Sequence, residues 1–115
     1  MSFYYCLSLK IVEFEEGFER VCLSCFDNCP LLTDVVFPST LQYFNAAFSG
    51  CSNLSNVYIK SCTPPKEGLS KTNIKSWFSS SPNVTIWVPM SAVETYKNDE
   101  EWGYWADRIK GYDFD

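Results

Sequence analysis

Histidine is absent from this 115-residue sequence. That removes Ser-His-Asp and Cys-His catalysis, histidine-ligated metals and histidine-based proton transfer together. Basic residues are few: 9 Lys and Arg against 14 Asp and Glu give a net charge of -5. A chain this acidic, with no basic stripe, is a poor match for nucleic acid or anionic lipid. No apolar run approaches the roughly 18 residues of a membrane span. No basic residue precedes Lys10, and Lys10 then breaks the apolar start, so no secretory signal is legible. As written, the chain carries no export address, which suits an intracellular protein or a piece of a longer one. The apolar fraction of 46% excludes wholesale disorder, and the length suits one domain. Six Cys is an even count, but it is thinner than a small disulfide scaffold requires.

What is present is a repeat. Phe3–Phe14, Phe26–Phe37 and Phe48–Ile59 align as F-x-x-C-x-x-L-x-x-V-x-F/I, carrying Cys6, Cys29 and Cys51 in one column. The period is 23 residues from Phe3 to Phe26 and 22 from Phe26 to Phe48. A degenerate copy starts at Phe78, with Ser81 in the Cys column and one residue lost before Ile86. The intervening halves also match, with Leu41 and Phe44 lying over Phe18 and Val21. This period is that of a leucine-rich repeat. The fold expected is therefore an α/β repeat. It is a short right-handed solenoid of about three to four 22–23-residue coils, with a parallel sheet and a small helical C-terminal cap. Strands are expected at Thr33–Phe37, Ser55–Ile59 and Thr85–Val88, with Val35/Phe37 and Val57/Ile59 pointing inward. Phe3, Cys6, Phe26, Cys29, Phe48, Cys51 and Phe78 are expected as a structural core ladder on the opposite wall.

Residues 1–88 read as the solenoid, with a loop insertion near 60–76 marked by Pro64, Pro65 and Gly68. Residues 89–115 read as the cap, the whole forming one structural domain. Ser91 with Glu94 forms a capping-box pattern and predicts a helix from Ala92 to Asn98. Trp102, Trp105 and Ile109 at i, i+3, i+7 predict a second short helical turn. No matching lid precedes Phe3, and an uncovered apolar end invites association, so a homodimer through that end is an expectation.

The motif Ala47-Phe48-Ser-Gly-Cys51-Ser-Asn-Leu54-Ser-Asn-Val57-Tyr-Ile59 resembles the BspA-like leucine-rich repeat of bacterial surface proteins. The tail through Pro64-Pro65, Val88-Pro89, Ser91–Lys97, Trp102 and Ile109 is similar to the ending common in such proteins from Bacteroides-like gut bacteria. Two departures stand out. Members are usually longer and carry an export or lipoprotein signal, and here Phe18-Glu-Arg-Val21 replaces the Leu and Ile-Gly that the family prefers. The resemblance implies a non-enzymatic protein-interaction or adhesion module at the cell surface or secreted. It also implies a protein partner such as a host matrix protein, and neither a catalytic residue nor a cofactor.

Other constellations have blander explanations. Cys22, Cys25 and Cys29 have thiolate spacing suited to zinc. Yet Cys29 lies in the ladder column and Cys25 in the column of Ala47, where a free Cys acts as a small hydrophobe. The thiol or disulfide state of Cys22, Cys25 and Cys62 is open at this level. The acidic runs Glu13–Glu19 and Asp99–Glu101 read as solvated faces rather than paired catalytic carboxylates. Asn53 and Asn83 sit in glycosylation sequons, and the repeat column already accounts for both. Among the aromatics, Trp102 and Trp105 are assigned to the cap core. Trp87 falls out of phase with Ile86 and Val88, matching Tyr58 and Val36 on neighbouring strands. Val36, Tyr58 and Trp87 are thus the candidate partner-contact face. A structural capping or self-associating piece without its own ligand is the second reading, and carbohydrate binding through exposed aromatics the third.

Overall fold

The computed structural model describes residues 10–21, 29–44, 48, 50–66, 78 and 81–114, with Arg20 and Val21 described in backbone only. The strands are β1 (Ile11–Glu13), β2 (Arg20–Val21), β3 (Asp34–Phe37), β4 (Tyr43–Phe44), β5 (Asn56–Ile59), β6 (Thr85–Pro89) and β7 (Ile109–Tyr112). A five-stranded sheet runs β1-β3-β5-β6-β7, and β2 pairs β4 in a second, two-stranded sheet. Every pairing is parallel.

The register is the alignment of the repeats. Val12 lies beside Val35, Val35 beside Val57, and Val57 beside Ile86. These four valine-column residues and Ile109 form one buried row across the sheet. Alternation then fixes which side chains face inward. Phe37, Ile59 and Val88 complete a second buried row.

The three-residue spacing of the anchors has a local cause. Leu32 N–H donates to Cys29 O, Leu54 to Cys51 O and Val84 to Ser81 O, at 3.1, 3.2 and 3.2 Å. Cys51 and Ser81 N–H donate in the same way to Phe48 O and Phe78 O. The segments starting at Phe48 and Phe78 are therefore pairs of tight i-to-i+3 turns, which bring every third side chain onto one side. Cys29, Cys51, Leu32, Leu54, Phe48 and Phe78 are all buried there, and the Phe48 and Phe78 rings stack at 5.5 Å. Ser81 fills the Cys column because its hydroxyl has an acceptor: Oγ donates to Cys51 O at 2.9 Å. Phe3, Cys6 and Phe26, together with Cys22 and Cys25, lie outside the described residues, as does the end through which a homodimer was expected.

The second sheet follows the weaker half-repeat: Val21 lies beside Phe44, as the alignment of Phe18–Val21 with Leu41–Phe44 requires. Lys66 extends it by bridging Tyr43. Between β1 and β2, Gly17 turns the chain at φ 102°, and its N–H donates to Thr40 Oγ1 at 2.9 Å. The neighbouring Glu16 accepts from both the hydroxyl and the N–H of Ser39. The Ser39 hydroxyl, then its amide, holds the Glu16 carboxyl below its ordinary value of 4.5, and the Lys60 charge adds to this. A carboxyl lowered on folding contributes stability above pH 4.5 that is lost as pH falls through the folded value. An NMR titration of Glu16 is expected to show the lowered midpoint, with Ser39→Ala raising it.

The helix expected over Ala92–Asn98 forms at Val93–Lys97 and Trp102–Arg108 is helical, but the capping and the end of the C-terminal segment differ from the cap read in the sequence. A 3-10 turn at Met90–Ala92 leads into α1 (Val93–Lys97), and a 3-10 segment at Trp102–Arg108 follows. The capping box is not formed: Ser91 sits inside the turn, and neither helix start has a side-chain cap. The chain turns so tightly after Pro89 that Ser91 never occupies an N-cap position. Ile109 belongs to strand β7, not to a second helical turn, and β7 adds a fifth strand to the main sheet. Gly111 eases this. A Cβ there would stand 3.1 Å from Val93 Cγ2 and 3.2 Å from Met90 Cγ, so a larger residue would make these side chains give by a few tenths of an ångström. Trp102 is wholly buried, and Trp105 packs partly buried against the core, as the spacing required. Among the described residues no helix is long and apolar enough to cross a membrane.

Candidate functional site

The outward row of the main sheet is set by the same register that builds the core. Val36 lies beside Tyr58 and Tyr58 beside Trp87, flanked by Glu13 on β1 and Lys110 on β7. The structure thus brings all three candidate face residues together, each half-buried. Parallel in-register strands place equivalent side chains at strand spacing, so flat rings in one column stack. Tyr58 and Trp87 do so, with centroids 6.2 Å apart and planes 14° apart. Trp87 is also fixed in orientation, since its Nε1 donates to Asn56 Oδ1 at 2.9 Å.

Two members of this face went unread in the sequence. Tyr112 meets Tyr58 edge-on at 5.2 Å and Trp87 at 5.8 Å. Phe114 packs against Tyr112 at 4.8 Å and reaches Tyr58 at 6.4 Å. Both were counted in a helical cap. The available signal was Ile109-Lys-Gly-Tyr112, which alternates like a strand as well as fitting the helical spacing of Ile109 to Trp102 and Trp105. The Tyr58 phenol is pushed above its ordinary range by partial burial, with the Asp34 carboxylate and Tyr112 adding to it. It is a neutral hydrogen-bonding group at ordinary pH.

Tyr96 and Trp102 are core. Both are fully buried, with Tyr96 Oη donating to Ser61 O at 2.8 Å and Trp102 Nε1 to Pro65 O at 2.7 Å. Tyr104 stands exposed on the 3-10 segment, away from the outward row of the sheet. Cys62 is an exposed thiol in the insertion, and Cys29 and Cys51 are buried thiols. The sequon residues Asn53 and Asn83 are both exposed, and the Asn53 amide donates to Pro30 O in the preceding coil at 2.9 Å. Asn in that column therefore has a coil-to-coil bonding role.

The chemistry available on this face is recognition. It offers a rigid aromatic surface with carboxylates and ammonium groups at its margins. A search of curated proteins finds no match. The family model for the BspA type leucine rich repeat region matches residues 1–95 in six copies, which spans the β1 to β6 strands and reaches into α1. With its columns of Phe, Cys, Leu and Val converted into stacked turns and a parallel sheet, the chain belongs to the BspA-type leucine-rich-repeat family.

Proposed function

We propose that this chain is a non-enzymatic protein-interaction module, and specifically an adhesion module of a surface-type repeat protein. In this reading residues 1–88 are a right-handed solenoid of about three to four coils. Residues 89–115 close its last coil, and the outward row Val36, Tyr58 and Trp87 is the partner-contact face. The observation that carries it is the ordered, half-buried aromatic row Tyr58–Trp87, held by stacking and by the Asn56 bond on a sheet whose other side is core. Tyr and Trp are the residues that anchor protein interfaces, and a rigid platform loses little entropy on binding. Membership of an interaction-repeat family supports the same reading. A cell-surface or secreted location follows from family resemblance, as does a host matrix protein as partner. Carbohydrate binding is less well supported, because Tyr58 and Trp87 turn ring faces toward each other rather than outward to a sugar.

The test is capture of purified matrix proteins by the immobilised chain, with affinities measured for each that binds. Replacing both Tyr58 and Trp87 by alanine is expected to weaken binding by about a hundredfold, the loss of two interface anchors. Unchanged affinity in a folded double variant would remove this face from the function.

A further inference from the structure

A shallow recess of about 370 Å³ opens beside the aromatic row. It exists because Val36, shorter than its neighbour Tyr58 in the same row, leaves a gap on that strand. Val36 forms the floor, and Tyr58, Tyr112 and Phe114 supply aromatic walls. Glu13, Asp113 and Lys60 also line it, and Asp113 and Lys60 are shared with a second recess. Among the described residues Lys60 is the one cation lining the recess, and its charge also acts on Glu16. Asp34, within electrostatic reach of the Tyr58 phenol, adds a third carboxylate to this side of the face.

An aromatic wall edged by carboxylates is suited to one chemistry. The π face attracts a cation, and the carboxylates hold it by charge-assisted hydrogen bonds. Guanidinium fits better than ammonium, being planar enough to lie against a tyrosine and forked enough to engage a carboxylate. An uncharged sugar gains hydrogen bonds but no charge attraction from the carboxylates, and an acidic segment is repelled by them. The net charge of -5 works in the same direction at long range.

We propose that the recess over Val36 receives an arginine side chain from a basic segment of the partner protein, set against Tyr58 and paired with Glu13 and Asp113. This rests on the interaction-module reading and names the chemistry that the partner brings to it. The Tyr58–Trp87 pair then supplies contact area while the recess selects for positive charge. Binding accordingly depends on salt, as pairs at a partly exposed surface do.

The probe is a capped hexapeptide alternating arginine and glycine, titrated calorimetrically against the full chain. The control is the same peptide with citrulline, which keeps the shape and loses the charge. The arginine peptide is expected to bind at least about tenfold more tightly at about 0.05 M salt, with the advantage shrinking at about 0.3 M. The double variant Glu13→Gln, Asp113→Asn changes two exposed residues, and is expected to bring the arginine peptide down to the citrulline level. Tyr58→Leu is expected to weaken it about threefold to tenfold. Equal affinity for the two peptides, or an unchanged arginine affinity in the double amide variant, overturns the proposal. So does sedimentation showing a dimer that dissociates in the double amide variant, since a second copy would then occupy the recess. The two readings fail separately. If matrix-protein capture is lost in Tyr58→Ala, Trp87→Ala while the peptides bind alike, the arginine assignment falls and the module stands. If arginine-selective binding holds while capture ignores the aromatic pair, the recess stands and the wider face is not the interaction surface.

Discussion

Trp102→Ala is expected to cost about 3–5 kcal/mol of folding stability, lowering the thermal midpoint by roughly 10–20 °C in a chain of this size. The residue is completely buried. Its indole meets Phe44 edge-on at 5.1 Å and Tyr96 at 5.6 Å, joining the core to the C-terminal segment. Truncation leaves a cavity bounded by these rings. It also strips Pro65 O of a buried donor 2.7 Å away. Trp102→Phe separates the two contributions, since it keeps most of the ring contact and loses the bond. About 1–3 kcal/mol is expected for that variant, the cost of a buried carbonyl left without its donor. Urea denaturation followed by far-UV circular dichroism measures both. If Trp102→Phe is as stable as the parent chain, the Pro65 bond contributes nothing and packing alone holds the segment.

A second large effect is expected at Phe48, where alanine should remove about 3–5 kcal/mol. Phe48 stacks on Phe78 in the following repeat and touches Phe44 at 6.2 Å. Stacked repeats hold one another rather than themselves, so losing a ring from one repeat exposes the ring it covered in the next. Phe78→Ala should therefore cost less in the Phe48→Ala background than alone. A coupling of about 0.5–1.5 kcal/mol is the size expected for an aromatic pair. Strict additivity would mean that the two rings are held by their own coils and that the ladder is a coincidence of spacing.

Most of the main sheet was legible in the sequence because a repeat leaves few choices. Once Val12, Val35 and Val57 are aligned, parallel pairing and a period of two determine which residues are buried. The shortened copy was placed correctly too: Tyr58 meets Trp87, although the offset between β5 and β6 is longer than a repeat. The candidate face Val36, Tyr58 and Trp87 followed from that alignment alone. The C-terminal segment resisted for a physical reason. Ile109 must be buried in either a helix or a strand, so its spacing from Trp102 and Trp105 could not separate the two. What decides is tertiary. Ile109–Tyr112 pairs with β6, and Gly111 keeps the close approach to Val93 and Met90 uncrowded. Missing that strand meant missing Tyr112 and Phe114, and with them the walls of the recess. The reason for the three-residue anchor spacing was likewise hidden until the backbone bonds of the turns gave it.

Tyr96 and Trp102 direct their side-chain hydrogen-bond donors at backbone carbonyls of the insertion, Ser61 O and Pro65 O. Neither acceptor belongs to a standard coil, because the insertion is what lengthens the path from β5 to β6. The C-terminal segment is therefore not an interchangeable end-piece. Grafted onto a repeat array lacking residues 61–65, it would bury a phenol and an indole with nothing to accept from them. An engineer who wished to shorten or extend this array would have to transplant the loop and the closing segment together, as one cassette, and would find the permissible cut points N-terminal to β5.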